Sequence, residues 1–115
     1  MIHTALPECI LNINSCLINK YSEPSHRIYY HRDSTESFGK MPSIIILSIG
    51  EQKTIRFKRT KDFLDENTFD FVLDNGSMFV MSGYSQIHFL HGIDSSTKPK
   101  PTKTRYSLVF REHVQ

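Results

Sequence analysis

The feature that most constrains the fold is the recurrence of short runs of β-branched and aromatic residues along the whole chain. Gly, Pro, Asp, Asn and Ser separate these runs, which is the pattern of short strands joined by turns. The spacing predicts an all-β sandwich or barrel with little helix. The eight predicted strands are 13–20, 27–31, 43–49, 54–58, 69–73, 77–81, 87–90 and 104–112.

Turn chemistry supports these breaks. Gly50 follows the third run, Asp74-Asn75-Gly76 separates the fifth from the sixth, and Ser82-Gly83 ends the sixth. The run 43–49 is nearly all apolar, so we expect a central strand covered on both faces. One weak helical candidate, 60–67, is equally compatible with a polar loop. The pattern predicts a two-layer antiparallel architecture, either a jelly roll or a related barrel.

Length and composition limit the remaining possibilities. The 115 residues predict one domain, 1–115, and the chain is only mildly basic, with 14 Lys and Arg against 12 Asp and Glu. The cysteines Cys9 and Cys16 have no metal-ligand or disulfide spacing, which favours a reducing compartment. We find no apolar run long enough for a membrane span and no signal peptide. We therefore expect a soluble, monomeric domain in the cytoplasm or nucleus.

A candidate metal site begins with His31-Arg32-Asp33 at the end of the second predicted strand. Residues at i and i+2 project from one face of a strand, so a nitrogen and an oxygen can meet at one point. A second histidine would complete the 2-His-1-carboxylate set that binds non-haem Fe(II). His88 and His91 are both candidates, and spacing does not choose between them.

The last predicted strand carries a second candidate. Arg105 and Arg111 are six residues apart, so strand alternation places them on one face. Tyr106, Leu108 and Phe110 then point the other way. Two guanidinium groups on one face suit a dicarboxylate, because Arg binds carboxylates in a planar, bidentate manner. An edge strand with solvated arginines is the competing interpretation.

Four segments together resemble the AlkB-like Fe(II)/2-oxoglutarate-dependent dioxygenases. Cys16-Leu17-Ile18-Asn19-Lys20-Tyr21 is similar to the Asn-x-Tyr strand of the family, and Phe89-Leu90-His91-Gly92-Ile93 is similar to its second histidine motif. His31-Arg32-Asp33 and the strand from Arg105 to Arg111 follow the family's order and spacing. The glycine-serine strand 75–83 is also similar. The resemblance covers 12–111, nearly the whole chain.

The resemblance implies a double-stranded β-helix, or jelly roll, and assigns roles residue by residue. It makes His31, Asp33 and His91 the Fe(II) ligands and leaves His88 outside the ligand set. The 2-oxoglutarate-binding residues that it implies are Asn19, Tyr21, Arg105, Ser107 and Arg111. Some members have Asn at the position of Ser107, and serine also suits a polar contact with the cosubstrate.

The implied reaction is the oxidative removal of N-alkyl groups from nucleic-acid bases, of the 1-methyladenine or 3-methylcytosine type. It uses Fe(II), 2-oxoglutarate and O2 and releases formaldehyde, succinate and CO2. RNA or single-stranded DNA is the expected partner. The alternatives are a hydroxylase or demethylase of a protein or small molecule with the same iron centre, and a non-catalytic β-sandwich binding module.

Two departures from the family concern substrate binding. Thr35 stands where well-studied members carry an acidic residue, and few residues precede the Asn-x-Tyr strand, where the family usually has a nucleotide-gripping lid. The chain is therefore either a catalytic core within a longer polypeptide or a reduced member, similar to the AlkB domains of RNA-virus polyproteins. Candidates for nucleic-acid contact are the basic residues Lys53, Arg56, Lys58, Arg59, Lys61, Lys98, Lys100 and Lys103, and the aromatic residues Tyr29, Tyr30, Tyr84 and Phe89.

Overall fold

The structure is a computed structural model that describes residues 13–22, 27–39, 41–60, 68–82, 85–93 and 104–114. Within these ranges the chain forms eight strands and two single-turn helices. The strands are β1 (Ser15–Tyr21), β2 (Ile28–His31), β3 (Ile44–Gly50), β4 (Lys53–Arg59), β5 (Thr68–Leu73), β6 (Met78–Met81), β7 (Phe89–Ile93) and β8 (Arg105–Arg111). The helical turns are α1 (Thr35–Phe38) and α2 (Ser85–His88).

The strands form two four-stranded sheets, with the orders β1-β8-β3-β6 and β2-β7-β4-β5. Every pairing is antiparallel. Apart from β4 and β5, consecutive strands lie in different sheets, so the chain alternates between two packed layers, which is the arrangement of a jelly roll. The predicted fold class is confirmed.

The predicted strands all occur, and the largest displacement affects the seventh. The run 87–90 predicts a strand there, but Ile87 and His88 belong to α2 and the strand begins at Phe89. His91 consequently lies within β7 rather than after it. Neither helical turn was predicted, because one turn is too short to show a helical period. The weak helical candidate 60–67, apart from Thr60, lies outside the described residues, as do the basic residues Lys98, Lys100 and Lys103.

The core fills the space between the sheets. In β4, Lys53, Ile55 and Phe57 are buried and alternate with more exposed residues, because successive side chains of a strand point to opposite faces. The buried apolar cluster consists of Tyr21, Ile44, Ile46, Ile55, Phe57, Leu73, Met81, Ile93 and Val109.

The prediction for the apolar run 43–49 is confirmed only in part. Its strand β3 is central, between β8 and β6. Ile44 and Ile45 are fully buried, on opposite faces of the strand. Ile49 is nevertheless 50 % exposed, so the outer face of the sheet is only partly covered. No helix in the described part of the chain is long and apolar enough to cross a membrane.

The turn predicted at Asp74-Asn75-Gly76 is present and fixes the end of β3. Ser77 N donates to Asp74 O, and Gly76 has a φ of 81°, a conformation that glycine adopts readily. Asn75 Oδ1 accepts a hydrogen bond of 2.9 Å from the Gly50 backbone N–H. The end of β3 therefore lies against the turn before β6, close to the start of β8 at Arg105.

Candidate metal centre

Pairing between β2 and β7 places two histidines side by side. His31 is opposite His91, Ile28 is opposite Ile93, and the register shifts between these two pairs. One extra residue on β2 forms a bulge, which re-aims side chains at the edge of a sheet. Gly92 permits this close approach, because a Cβ at that position would lie 2.8 Å from the Ile28 carbonyl oxygen.

Asp33 completes a group of three metal-ligating side chains. Its Oδ1 lies 3.5 Å from Nε2 of His31 and 3.8 Å from Nε2 of His91. One ligand atom from each of the three residues falls within 4.8 Å of the others. The side chains of Asp33 and His91 are 5 % and 8 % exposed and that of His31 is 42 % exposed, so the group borders solvent on the His31 side.

The two histidines are held differently. The Nδ1 atom of His31 lies 2.7 Å from the Tyr29 carbonyl oxygen, which only accepts, so Nδ1 donates. Nε2 faces Asp33 and donates to its carboxylate when the ring is protonated. Such a contact orients a ligating imidazole. The Nδ1 atom of His91 is buried without a hydrogen-bond partner among the described residues.

Asp33 is held at both carboxylate oxygens and at its backbone. Its Oδ2 lies 3.0 Å from Nη1 of Arg111, as an ion pair without hydrogen-bond alignment. Its backbone N–H donates to Oε1 of Gln86 over 2.9 Å. Burial opposes ionisation of Asp33, but its hydrogen bond with His31 and the charge of Arg111 outweigh that effect, so its pKa lies below the usual value.

The environment separates the pKa values of the two histidines. The hydrogen bond to Asp33 is the main cause of the raised pKa of His31. Burial, followed by repulsion from His31, lowers the pKa of His91 to about 4. His91 is thus neutral at neutral pH, and an unprotonated imidazole is the form that binds metal ions.

A cavity of about 270 Å³ between the sheets begins at this group. Tyr21 and Arg105 lie on the wall at its other end. Arg105 and Arg111 are six positions apart in β8, which corresponds to about 20 Å along an extended strand. The remaining wall is mostly apolar. Other residues that line it are Leu17, Asn19, Ile28, Ile44, Ile46, Ile55, Met81, Gly92, Ile93, Ser107 and Val109.

The far end of the cavity holds a buried cation. Arg105 is fully buried, and its Nη2 donates to Ser48 Oγ over 2.8 Å. Its Nε and Nη1 atoms and the Tyr21 hydroxyl have no hydrogen-bond partner among the described residues. Burial lowers the pKa of Arg105 and raises that of Tyr21. This end therefore presents the positive charge of Arg105 and several unused donors.

Asn19 and Ser107 lie between the two ends. They are paired across β1 and β8, and Asn19 Nδ2 donates to Ser107 Oγ over 3.3 Å. The structure thus brings all eight residues singled out from the sequence to one cavity. His88, the alternative ligand, is exposed at the end of α2 and does not line this cavity.

Three residues around the site, Ser48, Gln86 and Phe38, were missed by the sequence analysis, and Lys53 was interpreted there only as a nucleic-acid contact. Ser48 is a polar residue within the apolar run of β3, and Lys53 is a charged residue on the inward face of β4. Each therefore departs from an apolar pattern that the sequence shows. Gln86 and Phe38 gave no signal, because they lie in single helical turns. The centre of the Phe38 ring lies 4.6 Å from the guanidinium carbon of Arg111, so a cation–π contact helps to hold that side chain in position.

The candidate nucleic-acid contacts are divided by the structure. Among the predicted cations, Lys53 is buried, Arg56 pairs with Asp70 at 2.7 Å, and Lys58 lies 4.0 Å from the centre of the Tyr30 ring. Arg59 is exposed, whereas Lys61, Lys98, Lys100, Lys103 and Tyr84 lie outside the described residues.

The two remaining aromatic candidates differ in exposure. Tyr29 is 71 % exposed, and the guanidinium carbon of Arg27 lies 4.4 Å from the centre of its ring. Phe89 packs against the core cluster and against Phe57 and Phe69, so it is structural.

Known proteins have sequences related to that of this chain. The family model of the 2OG-Fe(II) oxygenase superfamily matches residues 5–111. The DNA oxidative demethylase ALKBH2 of Arabidopsis thaliana is 27 % identical over 118 residues, which cover 85 % of this chain and 37 % of the relative.

A solved structure also has this fold. The structure of OsALKBH1 matches with a TM-score of 0.61 at 20 % identity, over 84 % of this chain and 48 % of that one. The chain therefore spans less than half the length of either relative.

Proposed function

The chain belongs to the 2OG-Fe(II) oxygenase superfamily, and from that premise we propose that it oxidatively removes N-alkyl groups from bases of RNA or single-stranded DNA. Family membership implies Fe(II) and 2-oxoglutarate. One observation carries the proposal: a compact His31, Asp33 and His91 group borders solvent at one end of a cavity whose other end holds the buried cation Arg105.

The donor set suits Fe(II). Two imidazole nitrogens and one carboxylate oxygen form the face that leaves coordination positions open on non-haem iron. His91 is neutral at neutral pH, Asp33 is ionised, and Tyr29 orients His31. In the part of the chain that the structure describes, Arg111 is the full countercharge of the buried carboxylate, and a bound cation would neutralise it further.

The other end of the cavity suits an anion. Arg105 and Tyr21 both have buried polar atoms with no hydrogen-bond partner within the described ranges of the chain, and such atoms are costly unless something binds them. A carboxylate would accept from both residues. We therefore propose that 2-oxoglutarate lies along the cavity, with its distal carboxylate at Arg105 and Tyr21 and its keto-acid end towards the histidines.

The remaining residues of the cavity orient the cosubstrate. Asn19 and Ser107 offer hydrogen-bonding groups between the two ends, and Arg111 adds positive charge beside Asp33. The apolar wall excludes water around them. Fe(II), when bound, supplies the activation of O2 and the oxidation of both 2-oxoglutarate and the N-alkyl carbon.

A nucleic-acid substrate is supported by the relative and by the surface beside His31. ALKBH2 is a DNA oxidative demethylase. The ring of His31 is partly exposed, and Tyr29, two residues away, is an exposed aromatic ring with Arg27 against it. Aromatic and cationic side chains are what an unstacked base and its phosphates contact. We propose that the alkylated base approaches the metal centre from this side.

A second candidate function is the oxidation of a protein or small molecule by the same centre. Two of the basic residues predicted to contact nucleic acid favour this alternative, because Lys53 is buried and the charge of Arg56 is neutralised by Asp70. Either activity fits residues 1–115 acting as one catalytic core domain, which remains a proposal.

Mass spectrometry tests the proposed substrate class. Purified protein receives Fe(II), 2-oxoglutarate, ascorbate and a short single-stranded RNA that carries 1-methyladenine or 3-methylcytosine, with the equivalent DNA in parallel. We expect the oligonucleotide to lose the mass of one methylene group, and His31→Ala to abolish that loss. If succinate forms while every methylated oligonucleotide stays intact, the nucleic-acid assignment is wrong and methylated peptides become the next substrates.

A further inference from the structure

Gln86 is a buried side chain that contacts the candidate metal centre without being a candidate ligand. It lies in α2, is 4 % exposed, and accepts the Asp33 backbone N–H through Oε1 at 2.9 Å. The two residues are 53 positions apart in the chain. The contact therefore joins two segments that sequence proximity does not hold together.

These two segments carry all three candidate ligands. His31 and Asp33 lie at the end of β2 and just beyond it. His91 lies in β7, five residues after Gln86. The β2–β7 pairing joins the segments at His31, but Asp33 lies beyond the paired residues. The side-chain amide of Gln86 thus links the backbone of Asp33, through a hydrogen bond, to the segment that carries His91.

The orientation of the Gln86 amide follows from hydrogen-bond chemistry. A backbone N–H only donates, so the side chain must present its oxygen to Asp33. Its Nε2 is then buried without a hydrogen-bond partner among the described residues. Half of this amide is unsatisfied in the interior, which is unfavourable, so the polar contribution of Gln86 must come from Oε1.

We propose that Gln86 is a positioning residue that holds the backbone of Asp33, and so sets the distance between its carboxylate and the two histidines. The inference rests on the metal centre proposed above. Groups that orient metal ligands typically change metal affinity by about tenfold to a hundredfold when they are removed. Gln86 is therefore expected to control metal affinity without touching the metal.

The test compares three variants with the wild type by titrating the metal-free proteins with Co(II) and measuring the heat of binding in a calorimeter. Gln86→Met keeps the length of the side chain and removes the acceptor, and we expect it to weaken Co(II) binding by about tenfold or more. Gln86→Glu keeps an acceptor oxygen and adds a carboxyl group near the proposed metal position, so its Co(II) affinity should not fall below that of wild type. Ile45→Val removes a methylene from a fully buried residue that does not line the cavity, and it should lower the melting temperature but leave Co(II) affinity unchanged.

The outcomes separate positioning from packing. If Gln86→Met binds Co(II) as tightly as wild type, or Gln86→Glu loses as much affinity as Gln86→Met, the positioning role is excluded. Should Gln86→Met not fold, Gln86→Asn keeps the amide but shortens its reach, and it must also lose affinity. Wild-type protein that does not bind Co(II) overturns the metal centre itself, which is a different failure from unchanged binding in the variants.

Discussion

Nη1 of Arg111 lies 3.0 Å from Oδ2 of Asp33, whereas the other carboxylate oxygen, Oδ1, faces His31 and His91 at 3.5 and 3.8 Å. One carboxylate oxygen, Oδ2, thus faces the cation Arg111, and the other, Oδ1, faces the proposed metal position. Because Arg111 occupies one oxygen, the arrangement favours binding of a metal through Oδ1 alone. Arg105, in the same strand, has no such contact with the metal centre, so the two arginines have separable effects.

Arg105→Met and Arg111→Met should therefore differ. Arg105→Met removes charge-assisted hydrogen bonds to the distal carboxylate, worth about 1.5–3 kcal/mol, so 2-oxoglutarate affinity should fall by about tenfold to a hundredfold. Its Co(II) affinity should not change. Arg111→Met should weaken both. Calorimetric titrations with Co(II), and then with 2-oxoglutarate, measure the two affinities, and equal loss of Co(II) binding in both variants would contradict the assignment.

Metal binding should depend on pH through one histidine. The pKa of His31 is raised, mainly by its hydrogen bond to Asp33, so near pH 6.5 a metal must displace a proton from His31. His91, with a pKa of about 4, is already neutral there. The affinity for Co(II) should rise with pH until the pH exceeds the raised pKa of His31, and above that pH the affinity should level off.

Calorimetry in buffers of different ionisation enthalpy counts the protons released by this binding. We expect the release of no more than about one proton per metal ion near pH 6.5. Release of about two protons would show that His91 is also protonated, contrary to the effect of its burial.

Gly92→Ala should open the metal centre. The added Cβ would lie 2.8 Å from the Ile28 carbonyl oxygen and 3.1 Å from the Tyr30 backbone nitrogen, so β2 must move away from β7. Overpacking of this kind costs about 1–3 kcal/mol, and it also displaces His31 from His91. Chemical denaturation and Co(II) titration should both show a loss. Gly39→Ala, where a Cβ has open space but φ is 86°, is the control for backbone strain alone and should spare Co(II) affinity.

Asp70→Asn should have little effect on stability. Asp70 and Arg56 form two hydrogen bonds, of 2.7 and 2.9 Å, but both side chains are about 40 % exposed. Pairs in such surroundings contribute about 0–1 kcal/mol. Denaturation at low and high salt should give nearly the same free energy of unfolding for wild type and variant. A loss above about 2 kcal/mol would mean that this pair holds the edge strand β5 in place.

The sequence predicted the fold well because its strands are short, alternating and separated by turn residues. It did not predict the pairing of Asn19 with Ser107, since register depends on which strands become neighbours. Arg105 shows the same limit. Alternation places it on the face of Arg111, but its complete burial follows from the approach of β3, which brings Ser48 against it.

The features that the sequence did not predict depend on single turns and on contacts between distant segments. α2 is only four residues long and shows no helical period, so the predicted strand 87–90 began too early for β7. Gln86 reaches Asp33 only because that turn precedes β7. The bulge in β2 likewise has no local signal, although Gly92 marks the position where another backbone comes close.

The most direct test of the central claim is to measure succinate formed from 2-oxoglutarate by wild-type protein, with and without a single-stranded oligonucleotide that carries 1-methyladenine. The account predicts succinate that requires Fe(II), increases when the methylated oligonucleotide is added, and disappears in Asp33→Ala. Folded protein that binds Fe(II) but forms no succinate under any of these conditions would contradict it.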